Sequence, residues 1–195
     1  MENSQVIADA RRLAGSLGTL PAPEAHPAII VVSGLPGTGK SYFCCRLAER
    51  LPFLILESDA LRKQLFPMPT YSASESAHLF RTIYHLIEEL LRKGIPVILD
   101  ATNLEERHRE RIYNIAEQLN ARLILVRVEA PPELVEKRLN SRATKSNKEN
   151  SSDADWSVYQ KMKPTMQKIG RNHFTVDTSR DITPVLDKIV REINR

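Results

Sequence analysis

Residues Gly34-Leu35-Pro36-Gly37-Thr38-Gly39-Lys40-Ser41 fit the pattern G-x-x-x-x-G-K-S/T. Glycines at 34, 37 and 39 permit backbone angles that turn successive N–H groups inward on one anion. A helix starting near Lys40 adds the positive end of its dipole. Lys40 suits the β- and γ-phosphates of a nucleoside triphosphate, and the Ser41 hydroxyl suits Mg²⁺. A glycine-rich turn without a ligand is the plainer explanation. The context decides against it, because the motif lies between the apolar run AIIVV and a segment of helical period. ATP and Mg²⁺ are therefore the expected cofactors. The nucleotide-binding candidates are Gly34, Pro36, Gly37, Thr38, Gly39, Lys40, Ser41 and Tyr42.

Three further places bear on whether the terminal phosphate is hydrolysed or handed on. The second apolar run closes with ESDALR, which puts Asp59 at a strand end and Arg62 one turn later. A carboxylate there can orient and deprotonate an attacking hydroxyl, and an arginine can hold the acceptor and keep that carboxylate ionised. The pair reads equally as a helix cap with a solvated arginine. The third run closes with VILDATN. An acid after apolar residues is how a strand delivers a Mg²⁺ ligand, so Asp100 is the metal candidate beside Ser41. Thr102 or Asn103 also reads as the cap of the next helix. In EKRLNSR, Arg138 and Arg142 share a helix face ahead of a polar stretch. They read as a lid that brings positive charge to a transferring phosphoryl group, or as an ordinary solvated face.

The elements that must position these residues alternate. Apolar β-branched runs at AIIVVSG, PFLILESD, IPVILDATN, ARLILVRVEA and HFTVDTS are separated by stretches of helical period. This is the pattern of an α/β fold, a parallel sheet covered by helices on both faces. The long helix is expected from Ser74, without a capping box, and to stop at Gly94. WSVYQKMKPTMQKI reads as helical to Pro164, with a kink there. Residues 1–27 read as a helical extension followed by a proline-rich linker, and 28–195 as the main domain, with a lid at about 138–156.

At 195 residues and 42% hydrophobic, the chain suits one domain with a sizeable core. The net charge of +4 is mild and interspersed, so it does not demand a nucleic-acid partner. Arg107, Arg109 and Arg111 could line a nucleic-acid path or pair with Glu105, Glu106 and Glu110. No run of about 18 apolar residues suggests a membrane span, and the start lacks the pattern of a signal peptide. The adjacent Cys44 and Cys45 read as small apolar residues packing a helix in a reducing, cytoplasmic setting.

The ordered set GLPGTGKS, Asp59-x-x-Arg62, DATN and Arg138-x-x-x-Arg142 before SDAD resembles the P-loop kinases of the AAA-type kinase group. The 5′-kinase domain of phage polynucleotide kinase is the best-known relative in that group. Residues from about 28 to 193 carry the resemblance. It implies a nucleotide-kinase-like P-loop fold with a five-stranded parallel sheet in the order 2-3-1-4-5 and a mobile lid. It implies Asp59 as general base, Arg62 at the acceptor's own phosphate, and Arg142 or Arg138 at the donor phosphates. VDTS, with Thr178, would lie beside the adenine. The phage enzyme's third-strand motif is similar to SDTN, whose acid falls at Ala101 here, whereas Asn103 matches. Asp100 and Asn103 thus both stand as candidates to serve the metal.

Two functions follow as expectations. One is an ATP-dependent phosphotransferase that moves the γ-phosphate to a hydroxyl, on a polynucleotide 5′-end or a small molecule. The other is a nucleotide-binding NTPase or regulatory module without an acceptor, with a partner docked through the N-terminal helix.

Overall fold

The computed structural model describes residues 2–103, 105–144 and 154–195. Strands β1 (Ala28–Ser33), β2 (Leu54–Glu57), β3 (Val97–Asp100), β4 (Arg122–Glu129) and β5 (Phe174–Asp177) form one sheet. Every pairing is parallel, and the order is β2-β3-β1-β4-β5, the order that the family resemblance implies. The helices are α1 (Glu2–Ser16), α2 (Lys40–Ala48), α3 (Ser58–Leu65), α4 (Ala73–Arg92), α5 (Glu106–Gln118), α6 (Pro132–Thr144), α7 (Trp156–Met162) and α8 (Thr183–Ile193).

β1 is central because all of its residues tolerate burial: each of AIIVVS is buried. Its alternation feeds two cores. Ile29 and Val31 meet the face built by α1, α4 and α5, through Leu13, Ile83 and Ile112. Ile30 and Val32 meet the face built by α2 and α8, through Phe43, Leu47 and Leu186. A third, smaller cluster of Leu35, Val135, Leu139 and Tyr159 lies where α6 and α7 meet the glycine-rich loop.

Several boundaries differ from expectation, each for a local reason. α4 starts earlier, because Ser72 rather than Ser74 is its cap: the Ser72 hydroxyl accepts from the Glu75 N–H at 3.2 Å. The sequence carries that S-x-x-E spacing. α3 follows β2 directly, so Asp59 sits in the first turn of a helix rather than on the strand. Neither Thr102 nor Asn103 caps α5; Glu105 occupies that position, without a side-chain bond. α7 ends at Met162, and Pro164 lies in a separate 3-10 turn, Lys163–Thr165. Cys44 is buried in the α2 core face as expected, but Cys45 points to solvent.

α1 is docked through its apolar face, with Ala10 and Leu13 fully buried in the same core as Ile29. Asp9 pairs with His78 of α4 at 2.8 Å, and Arg12 donates to the Gln64 carbonyl at the end of α3 at 2.5 Å. The following linker is tied down where the Glu24 N–H donates to the Gly94 carbonyl at 2.8 Å. The expected lid takes in the end of α6 and the start of α7; its central residues 145–153 lie outside the described residues. Among the described residues, no helix is long and apolar enough to cross a membrane.

Truncating Leu13, which is fully buried, should cost about 2–5 kcal/mol of unfolding free energy. Urea unfolding of Leu13→Ala measures this. A loss under about 0.5 kcal/mol, the size of a surface effect, would show that α1 contributes no packing.

Candidate active site

β1 ends between β3 and β4, and the loop 34–39 leaves its carboxyl end, where parallel sheets place ligands. Gly37 and Gly39 adopt φ of 78° and 95°, which a side chain would strain. Gly34 has no such angle. It must be glycine because a Cβ there would be driven into the Val128 carbonyl oxygen. The Gly34 N–H donates to the Thr102 carbonyl at 3.2 Å, which ties the loop to the end of β3.

The outer side of the loop is clamped. Thr178, just past β5, donates from its hydroxyl to the Thr38 carbonyl at 2.6 Å. Arg138 of α6 donates to the Thr178 hydroxyl at 2.8 Å and to its carbonyl at 3.0 Å, with longer bonds of 3.4 Å to the Gly37 and Thr38 carbonyls. Burial and the neighbouring Arg142 push the Arg138 guanidinium down from its ordinary value, and Asp177 opposes them. The clamp thus holds the Gly37 and Thr38 carbonyls, while the Leu35 carbonyl accepts from the Thr38 hydroxyl at 2.8 Å and from the Lys40 ammonium at 3.1 Å.

Inside the loop, three charged groups interact. Burial pushes the Lys40 ammonium down, and Asp100 and Asp59 oppose that shift. Burial raises the Asp100 carboxyl, with Asp59 adding to the rise; Lys40 and a hydrogen bond from Ser41 pull it back. Asp100 is 3% exposed, and its Oδ2 has no hydrogen-bond partner. Asn103 stands beside it with φ 46°, donating to the Val32 carbonyl at 3.4 Å and leaving a buried Oδ1 equally unpartnered. A hard cation takes such oxygens. Among the described residues, no group of three or more His, Cys, Asp or Glu would hold a metal by itself.

A cleft of about 600 Å³ opens from this point. Pro36, Gly37, Gly39, Lys40, Ser41 and Asp100 line one end, with Arg142 reaching in from α6. Asp59, Arg62, Tyr71, Phe80 and His108 line the same cleft. Thr38 is buried, and Arg138 and Thr178 stand behind the loop as a clamp. Tyr42 is 58% exposed on α2 and lies outside the cleft's lining.

The arginines part company. Arg62 is 6% exposed and pairs with Glu75 across the bend between α3 and α4. Arg107 pairs with Glu105 at 2.7 Å at the mouth of the cleft. Arg109, which the sequence offers with Arg107 and Arg111 either to a nucleic-acid path or to pairing with the neighbouring glutamates, is 1% exposed. It donates to Glu106, to the Asn103 carbonyl, and to the Lys168 and Gln167 carbonyls at 2.9 and 3.2 Å. It thus fastens the Asn103 turn to the chain that follows α7. Nothing in the sequence separates Arg109 from its neighbours 107 and 111 except its place on the inward face of α5. Tyr71, Phe80 and His108 escape sequence reasoning for the same cause, since each gains its position from packing between helices.

The sheet order and the loop at the end of its central strand define a kinase-like P-loop nucleotide-binding fold. The chain belongs to the AAA domain family, whose model matches residues 29–169. It is 29% identical over 175 residues to the L-seryl-tRNA(Sec) kinase of Methanococcus maripaludis, covering 85% of this chain and 66% of that one. The chain thus spans slightly less than two thirds of that relative's length. Among solved structures, the Mycobacterium tuberculosis APS kinase CysC in complex with AMPPNP and APS shares the fold at TM-score 0.66 and 16% identity, over 89% of this chain and 100% of that one. A gluconokinase from Sinorhizobium meliloti 1021 shares it at TM-score 0.60 and 19% identity, over 88% and 98%.

The Arg62–Glu75 pair makes stability depend on pH. Burial works to raise the Glu75 carboxyl, but hydrogen bonds from the Thr70 N–H and hydroxyl, from Arg62 and from the Tyr71 N–H prevail and pull it down from 4.5 to about 2. A carboxyl lower in the folded chain stabilises above its unfolded value and loses that contribution as pH falls through the folded one. Wild type should therefore exceed Glu75→Gln in stability above about pH 5, and the gap should close toward pH 2. Urea melts across that range test it; a gap independent of pH would contradict it.

Proposed function

We propose that this chain is an ATP-dependent kinase that transfers the γ-phosphate to an alcohol hydroxyl of a second substrate. The observation that carries this reading is that one cleft is lined by Lys40 and Ser41, by Asp59, and by residues of α4 and α5, the side of it that we take as a second chamber. A hydrolase needs room only for water at that point. The relative from Methanococcus maripaludis is by name a kinase for a seryl group on tRNA, which agrees with a hydroxyl acceptor.

In this reading the loop N–H groups and Lys40 hold the β- and γ-phosphates. Ser41 and Asp100, with Asn103 adjacent, would hold Mg²⁺, which supplies charge neutralisation at the phosphates. Asp59 orients the acceptor hydroxyl and takes its proton as the new oxygen–phosphorus bond forms and ADP departs. Arg142 brings positive charge to the transferring phosphoryl group, while Arg138 and Thr178 keep the loop in shape. Both polynucleotide 5′-hydroxyls, suggested by the likeness to phage polynucleotide kinase, and small molecules belong to the acceptor class. The rival reading, a regulatory NTPase with a partner on the N-terminal helix, gains no support from α1, whose apolar face is buried against α4.

Asp59→Asn should lower phosphate transfer about 100- to 10,000-fold and leave ATP binding within a few-fold of wild type. Transfer of labelled phosphate, measured beside nucleotide affinity, tests this. Transfer by the Asp59→Asn variant at the wild-type rate would remove Asp59 as the base. Lys40→Ala should abolish nucleotide binding or turnover in either reading.

A further inference from the structure

The far end of the cleft is built unlike its near end. Lys40 and Arg142 line the cleft on the side of the phosphate loop, and each cation of the second chamber, Arg62 and Arg107, has a carboxylate partner. Arg62 pairs with Glu75, and the two side chains are 7% and 8% exposed. Its second nitrogen donates to the Ser76 hydroxyl at 3.2 Å, while its Nε is buried with no hydrogen-bond partner. The Tyr71 ring lies over the guanidinium at 4.8 Å. Glu75 is itself fixed by the Thr70 N–H at 2.6 Å, the Thr70 hydroxyl at 2.8 Å and the Tyr71 N–H at 3.2 Å. The other cation at this end, Arg107, is paired with Glu105. Asp59 stands between the two ends, so the chamber offers an approaching anion no net attraction.

What the chamber offers instead is ring surface. His108 stacks on Phe80 with centroids 5.7 Å apart and planes at 28°. The Tyr84 hydroxyl, 3.3 Å from His108 Nδ1, holds that ring in place from behind. Burial pushes the His108 ring below its ordinary value, against Glu105, so it adds no charge at neutral pH. Ala73 and Ala77 complete an apolar wall on α4. Such a surface suits a flat ring and excludes little else but charge.

We infer that the acceptor is an uncharged, ring-bearing hydroxyl compound, and that Arg62 serves as a wall braced by Glu75 rather than as an anchor for an acceptor phosphate. The inference rests on the kinase reading above and narrows its acceptor class. A polynucleotide end, whose first nucleotide carries a phosphate on its other side, fits this chamber less well than a free nucleoside or an aryl glycoside.

The test is calorimetric titration of the full chain, saturated with a non-hydrolysable ATP analogue. The probes are uridine against uridine 3′-monophosphate, and phenyl glucoside against phenyl glucuronide, with ribose and glucose as controls that lack the flat ring. In at least one pair the neutral member should bind about tenfold tighter than its anionic partner and than its control. Glu75→Gln should narrow that ratio by strengthening the anionic member about tenfold, because Arg62 then lacks its carboxylate. Phe80→Ala should weaken the neutral member about tenfold, which supplies a second variant should Glu75→Gln fold poorly. Tighter binding of the anionic members by wild type, or no binding by any probe, overturns the inference. Phosphate transfer from ATP is scored on the same probes. Ring-selective, neutral binding without transfer would overturn the kinase reading and leave the chamber's selectivity standing.

Discussion

The loop 34–39 can present its N–H groups to an anion only if its carbonyls are held elsewhere, and the rest of the site depends on that arrangement. The holding groups come from distant parts of the chain: Thr178 past β5 and Arg138 on α6 hold loop carbonyls, while the Thr102 carbonyl past β3 accepts from the Gly34 N–H. They meet because β1 is central, with β3 on one side and β4 and β5 on the other. The fit is close enough that Cβ atoms at 34, 37 and 39 would meet Val128, Leu139 and Thr178 in turn. Glycine spacing in the loop is therefore a statement about three neighbouring elements as well as about backbone angles.

Buried charge is matched in pairs along the whole cleft. Lys40 balances Asp100 and Asp59 at the phosphate end. Arg62 balances Glu75 in the middle, and Arg109 ties Glu106 to the carbonyls of two separate turns. Breaking one partner of such a pair leaves the other buried and uncompensated, which is far costlier than losing a surface pair. Three atoms of the cleft stand out against this background as buried and unpartnered: Asp100 Oδ2, Asn103 Oδ1 and Arg62 Nε. Asp100 accepts a hydrogen bond from Ser41, and a cation held there would satisfy its second oxygen.

Much of this is legible from residue types and spacing. The glycine motif, the five apolar runs and the acid closing VILD all locate elements that the fold contains. These are local signals, written in periods of two and 3.6 residues. The acceptor end is not legible, because Arg62 and Glu75 stand 13 positions apart and meet only across a bend. Arg109 likewise shares its sequence surroundings with Arg107 and Arg111 and differs only in facing the segment around Gln167. Phe80 and His108 come from different helices, so no spacing announces their stack. The Ser72–Glu75 cap is a different case: its spacing is readable, but the serine at 74 offers a competing start two residues on.

The central claim is that the glycine loop is the donor half of a two-substrate cleft. The measurement that addresses it most directly follows the γ-phosphate of labelled ATP in the presence of hydroxyl compounds that bind the second chamber. The account predicts label on the hydroxyl compound, with ADP formed in equal amount and little inorganic phosphate. Release of the label as inorganic phosphate alone, at a rate indifferent to every hydroxyl compound bound, would contradict it.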